Sequence, residues 1–153
     1  NKTSFLREAT HFDFLRDAVF PQLDGPVRIW SAGCSSGEEP YTLAMLCQES
    51  FGSSNPRDVK ILATDISHRV LATAKAGVYP ADGMQDVPSA WLQKYWAKRS
   101  EASGRSVYEA QPALRRLVSF AKLNLMEQWP MRGPFDAILC RNVMIYFDKA
   151  TQQ

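Results

Sequence analysis

The stretch from residue 27 to residue 50 constrains the fold most. Val27 to Ala32 (VRIWSA) is a short apolar run that leads straight into Gly33-Cys34-Ser35-Ser36-Gly37, and Pro40 to Ser50 (PYTLAMLCQES) has helical composition with proline near its start. Strand, glycine turn and helix in that order open a βα unit. After a polar turn, Val59 to Thr64 (VKILAT) reads as a second strand ending at Asp65, and Ser67 to Ala76 as a helix stopped by Gly77. Alternating strands and helices with a glycine-rich first turn specify a mainly parallel α/β sheet with right-handed crossovers. Its ligand is expected at the carboxyl ends of the strands.

Other segments are arranged around this unit. Phe5, Phe12, Leu15, Val19 and Leu23 recur at helical spacing, which predicts an amphipathic helix stopped by Pro21 and Asp24-Gly25-Pro26. Trp91, Leu92, Tyr95 and Trp96 suggest a further helix, Lys98 to Ser106 a polar loop, and Leu114 to Leu125 a strand. Phe135 to Cys140 (FDAILC) is the clearest later strand, with Arg141 and Asn142 at its exit and Tyr146 just beyond its carboxyl end. A chain of 153 residues is expected to hold one domain, with about 94–125 as an inserted subdomain.

Composition removes several classes of function. A net charge of +2 is far too small for a nucleic-acid backbone binder, so nucleic acid is not an expected partner. The longest apolar runs, Leu43 to Cys47 and Val143 to Phe147, fall well short of the roughly 20 residues of a membrane span. Three cysteines, Cys34, Cys47 and Cys140, lack Cys-x-x-Cys spacing and sit among apolar neighbours, as reduced cytoplasmic thiols do. His11 and His68 are far apart in sequence without ligand-like neighbours, so no metal is expected.

The glycine turn lacks the Lys-Ser/Thr of a phosphate loop and the G-x-G-x-x-G spacing of a dinucleotide site. Glu38 and Glu39 at the helix start would repel a pyrophosphate, yet they suit a cationic, hydroxyl-rich ligand such as a sulfonium amino acid joined to ribose. They could equally be acids that complement the helix macrodipole. Asp65 stands where an acid accepts hydrogen bonds from ribose hydroxyls, although Asp65 or Ser67 could also serve as the cap of the following helix.

Four separated segments, NKTSFLREATHF, WSAGCSSGEEPYTLAM, ILATDIS and FDAILCRNVMIYFDKATQQ, resemble the chemotaxis receptor O-methyltransferase (CheR) family, in order and over essentially the whole chain. The resemblance implies a Rossmann-like fold that binds S-adenosylmethionine and releases S-adenosylhomocysteine. It also implies a cytoplasmic enzyme that converts glutamates on the helices of methyl-accepting chemotaxis receptors into γ-methyl esters. By position, Asn1, Thr3 and Arg7 match the opening motif, with Arg7 near the sulfonium and the incoming carboxylate. Glu39 matches the acid holding the methionine amino group, beside Gly33 of the glycine turn, and Asp65 the acid on the ribose. Asn124 and Leu125 match the adenine-side segment, Cys140, Arg141 and Asn142 the strand exit beside the cofactor, and Tyr146 the tyrosine facing methyl transfer. Leu6 stands where the family commonly has a second Phe, and Ser36 where Thr is frequent.

Family members continue through further strands and carry a helical N-terminal domain. The four strands read here are therefore expected to leave sheet surface and an edge uncovered, open to self-association. Two other readings are a cofactor-binding module without turnover in signalling-complex assembly, and a methyltransferase for another substrate. Residues Lys94 to Arg116, with six basic and two acidic side chains, could meet an acidic receptor helix or form a solvated face.

Overall fold

The computed structural model describes residues 4–6, 9–52, 57–123 and 135–140, together with the backbone of 143–146. Helix α1 (Ala9–Phe14) runs into a π-helical turn, Leu15–Val19, and a 3-10 turn, Phe20–Gln22. The amphipathic stripe is as expected, with Phe12, Leu15 and Val19 buried, but the segment is not one regular helix. Pro21 lacks the N–H that would continue the ladder, so the last turn tightens and ends.

Strand β1 (Val27–Ala32) leads through the glycine turn into helix α2 (Glu38–Phe51), and β2 (Val59–Asp65) into α3 (His68–Ala76). Then follow β3 (Val78–Pro80), α4 (Ser89–Tyr95), β4 (Trp96–Ser100), β5 (Ser106–Ala110), α5 (Pro112–Arg115), β6 (Val118–Lys122), β7 (Ala137–Cys140) and β8 (Val143–Tyr146). The main sheet has the order β6-β2-β1-β7-β8, parallel except for the antiparallel β7–β8 pair, and a second sheet has the order β3-β5-β4.

Three expectations change here. Among the described residues the main sheet has five strands rather than four, because the chain after β7 reverses into β8. Lys98 to Ser106 is not a loop: it holds the ends of two antiparallel strands around a turn closed by Gly104 N–H donating to the Glu101 carbonyl. Leu114 belongs to α5, and the strand begins only at Val118.

Side chains alternate across β1, so Val27 and Ile29 enter the main core while Trp30 and Ala32 face a smaller cluster with Leu123 on the other side of the sheet. Helix α2 is buried nearly all round, from Pro40 to Cys47. It is apolar on so many faces because it is covered from several directions: Met45 accepts the Trp96 indole N–H, and Tyr41 makes ring contacts with Tyr79, Trp96 and Phe120. Among the described residues no helix is long and apolar enough to cross a membrane.

Candidate functional site

The register of the main sheet aligns Ala32 with Thr64 on one side and with Cys140 on the other. The glycine turn, Asp65 and Cys140 therefore share the carboxyl edge, as the βα pattern requires. Within the turn Gly33, Ser35 and Gly37 have φ of 71°, 54° and 102°. Glycine takes such angles without penalty, whereas Ser35 needs outside support to stay there. A Cβ on Gly37 would lie 2.6 Å from the Tyr79 hydroxyl and 2.9 Å from the Ala74 Cβ, so only glycine fits.

Asp65 supplies that support. Its Oδ2 accepts the Ser35 N–H at 2.9 Å and its Oδ1 accepts the Ser67 N–H at 3.0 Å, while the Cys34 N–H donates to the Thr64 carbonyl at 2.8 Å. The cap of α3 is Ser67, whose hydroxyl accepts from the Val70 N–H at 3.4 Å. Each Asp65 oxygen keeps a lone pair for a further donor, which suits two neighbouring hydroxyls.

Glu39 lies in the first turn of α2, and its Oε1 accepts the hydroxyl of fully buried Ser31 at 2.5 Å. Loss of water around it raises the carboxyl above the usual carboxylate range, against the pull of the Ser31 hydroxyl and the charge of His11. An ammonium group is the natural complement of such a carboxylate. The buried Cys34 thiol is pushed up to about 12 by desolvation and then by the charges of Asp65 and Glu39, a sign of the negative character of this edge. The acceptor set thus suits a ligand carrying an ammonium and a ribose diol, and a pyrophosphate would meet acids instead of donors. Among the described residues no group of His, Cys, Asp and Glu could hold a metal ion.

Of the predicted site residues, Gly33, Glu39, Asp65 and Cys140 come together at this edge. Asn1, Thr3, Arg7, Asn124, Leu125, Arg141 and Asn142 lie outside the described residues. The backbone of Tyr146 pairs with Ala137 at the amino end of β7, not beyond the carboxyl end as the sequence suggests, because β8 folds back along β7. Three contributors escaped the sequence reading: Ser31, Thr42 and Tyr79. Ser31 gave a faint signal as the one uncharged polar residue inside VRIWSA. Thr42 is fully buried; its hydroxyl donates to the Glu38 carbonyl at 2.7 Å and accepts the Leu6 N–H at 3.2 Å, fixing the chain just before Arg7.

A mainly parallel sheet whose carboxyl edge holds a left-handed glycine turn between two carboxylates defines a Rossmann-like ligand-binding domain. A family model described as CheR methyltransferase, SAM binding domain, matches residues 1–153. The probable chemotaxis protein methyltransferase of Rhizobium etli is 44% identical over 158 residues, covering 99% of this chain and 59% of the relative. Chemotaxis protein methyltransferase 2 of Pseudomonas aeruginosa is 45% identical, with 99% of this chain and 55% of the relative covered. The chemotaxis protein methyltransferase of Escherichia coli is 42% identical, with 100% and 53% covered. The chain belongs to the CheR methyltransferase family, and its cofactor is S-adenosylmethionine. It spans a little over half the length of these curated relatives.

Proposed function

We propose that the protein transfers a methyl group from S-adenosylmethionine to glutamate side chains on the cytoplasmic helices of chemotaxis receptors, forming γ-methyl esters. The observation that carries this is the placement of Glu39, the glycine turn and Asp65 on one strand edge in a chain that matches the family throughout.

When bound, the cofactor supplies a sulfonium-activated methyl group. Glu39 holds the ammonium end and Asp65 the ribose, with Gly33 and Cys140 lining the space between; Asn1, Thr3, Asn124, Leu125, Arg141 and Asn142 complete the cofactor site by their motif positions. The acceptor carboxylate, with a reference pKa of ~4.3, is already ionised at neutral pH, so no general base is needed. Alignment and exclusion of water then carry the rate. Arg7 places the acceptor through charge-assisted hydrogen bonds. Tyr146 is assigned to the same task on its motif position alone.

The whole of 1–153 acts as one methyltransferase domain, with about 94–125 as its insert; of that stretch β4 and β5 lie in the small sheet and β6 in the main sheet. Part of the basic surface there is internally paired: Lys94 with Glu49, and Arg99 and Arg115 with Glu109. Incubation with methyl-labelled cofactor and receptor helices tests the proposal. Label on glutamates that is released by mild alkali is expected; alkali-stable label, or cofactor binding without transfer, would overturn it. Arg7→Ala and Tyr146→Phe should lower kcat more than they weaken S-adenosylhomocysteine binding, by ~1.5 to 3 kcal/mol for each bond lost to a charged group.

A further inference from the structure

Tyr79 lies on β3, in the small sheet, and not on the strands whose carboxyl edge carries the acids. It is nevertheless tied to that edge. Its ring is buried among Phe5, Tyr41 and Trp96, with centroid distances of 5.0, 6.1 and 5.8 Å, all edge-to-face. Its hydroxyl donates to the Ser36 carbonyl at 2.6 Å. The other end of the same peptide, the Gly37 N–H, donates to the Cys34 carbonyl at 3.1 Å. The peptide between Ser36 and Gly37 is therefore gripped at both ends, once from inside the turn and once from the small sheet.

This grip has a geometric purpose. A peptide group in a turn can rotate as a unit at low cost, especially beside a glycine, and such a rotation here would change ψ of Ser36 and φ of Gly37 and break the Gly37 N–H bond to Cys34 that closes the turn in which Asp65 holds Ser35. The Tyr79 hydroxyl blocks it from outside the turn. Burial, and the charge of Glu38 after it, hold the phenol far above its ordinary titration range, so it remains a donor at any working pH.

We propose that Tyr79 is a positioning residue for the cofactor: through the Ser36 carbonyl it holds the glycine turn in the shape that S-adenosylmethionine requires, making the small sheet a brace for the cofactor site. This rests on the reading of the turn and Asp65 as the cofactor site. A comparison of two tyrosines separates positioning from mere stability. Tyr41 is as deeply buried in the same ring cluster, but its hydroxyl donates at 2.8 Å to the Ala74 carbonyl of α3 and not to a carbonyl of the turn.

The experiment is calorimetric titration of S-adenosylhomocysteine into the protein and its Tyr79→Phe, Tyr41→Phe and Asp65→Ala variants, at a temperature where all are folded. Tyr79→Phe should weaken binding about 3- to 10-fold, the loss expected for one neutral hydrogen bond, equally at pH 6 and pH 9. Tyr41→Phe should lower the unfolding temperature with affinity kept within twofold. Unchanged affinity in Tyr79→Phe, or an equal loss in Tyr41→Phe, overturns the proposal. Unchanged affinity in Asp65→Ala overturns instead the reading of the site on which it rests. Should Tyr79→Phe not fold, 3-fluorotyrosine, a stronger phenol donor, carries the test: placed at 79 it should change the affinity for S-adenosylhomocysteine while the same replacement at 41 leaves it unchanged, and equal affinities at both positions overturn the proposal.

Discussion

The carboxylate of Asp65 accepts the backbone N–H of Ser35 at 2.9 Å, joining the end of β2 to the turn that follows β1, thirty positions earlier in the chain. One acid thereby holds a left-handed serine in place and presents its remaining lone pairs outward. Asp65→Ala should weaken S-adenosylhomocysteine binding by ~1.5 to 3 kcal/mol, since the ribose hydroxyls lose their acceptor. Calorimetry decides it, and unchanged affinity would remove Asp65 from the site.

Position 35 itself offers a second test. Ser35 has φ of 54°, which a β-branched side chain tolerates poorly and glycine accepts. Ser35→Val should cost about 1 to 2 kcal/mol in chemical denaturation, whereas Ser35→Gly should stay within about 1 kcal/mol of the parent. Equal stability of the two variants would show that the left-handed conformation is not maintained in solution.

Glu39 places binding and stability in opposition. Its folded-state carboxyl titrates above its unfolded value because burial disfavours the charge. Such a group favours the fold at acid pH, and that contribution is lost as pH rises through the raised value. Glu39→Gln should therefore raise the unfolding temperature at pH 7.5, with the gain shrinking toward pH 4, while S-adenosylhomocysteine binding falls. A lower midpoint at pH 7.5 would mean that Glu39 already has a cationic partner in the unliganded protein.

Thr42 joins the opening segment to the helix that carries Glu39. Thr42→Val keeps the volume and removes the hydroxyl, so the Leu6 N–H loses its acceptor at a cost of ~1 to 3 kcal/mol. Faster amide exchange at Leu6 and a drop in turnover, through the neighbouring Arg7, are expected. Normal turnover together with accelerated exchange would separate Arg7 from this anchor.

The Cys34 thiol, pushed up to about 12 by burial and by Asp65 and Glu39, is almost wholly protonated at pH 8. Because the thiolate is the nucleophile, iodoacetamide should spare Cys34 in the folded protein and label it after unfolding. Mass spectrometry of tryptic peptides gives the answer, and rapid labelling at pH 8 without unfolding would contradict the burial.

Elements that follow one strong local rule were readable from sequence. β1 and β2 are apolar runs bounded by turn residues, and Gly77, at φ 65°, ends α3 where a left-handed residue is needed. Asp65 was recognisable because it ends a strand and precedes a helix. β4 was not: only Trp96 of its five residues is buried, so Lys98 and Arg99 carry no alternation to distinguish strand from loop. β8 was missed because a reversal into an antiparallel neighbour depends on tertiary pairing, not on its own composition. Tyr79 and Thr42 act through single hydroxyls whose acceptors lie 43 residues away in one case and on the preceding helical turn in the other, and no local pattern marks either.

The middle strand of the main sheet has a consequence for the order in which the molecule is made. β1 sits between β2 and β7, and the Arg28 N–H is received by the carboxylate of Asp136, 108 residues later. A ribosome adding residues in sequence leaves one hydrogen-bonding edge of β1 open until β7 emerges, because the partner of Arg28 follows 108 residues later. Pairing over such sequence distances closes slowly, and an open edge invites other chains in the meantime. Nascent chains stalled before Ala137 should therefore be protease-sensitive at β1 and engage chaperones, and those stalled after β7 has left the exit tunnel should not.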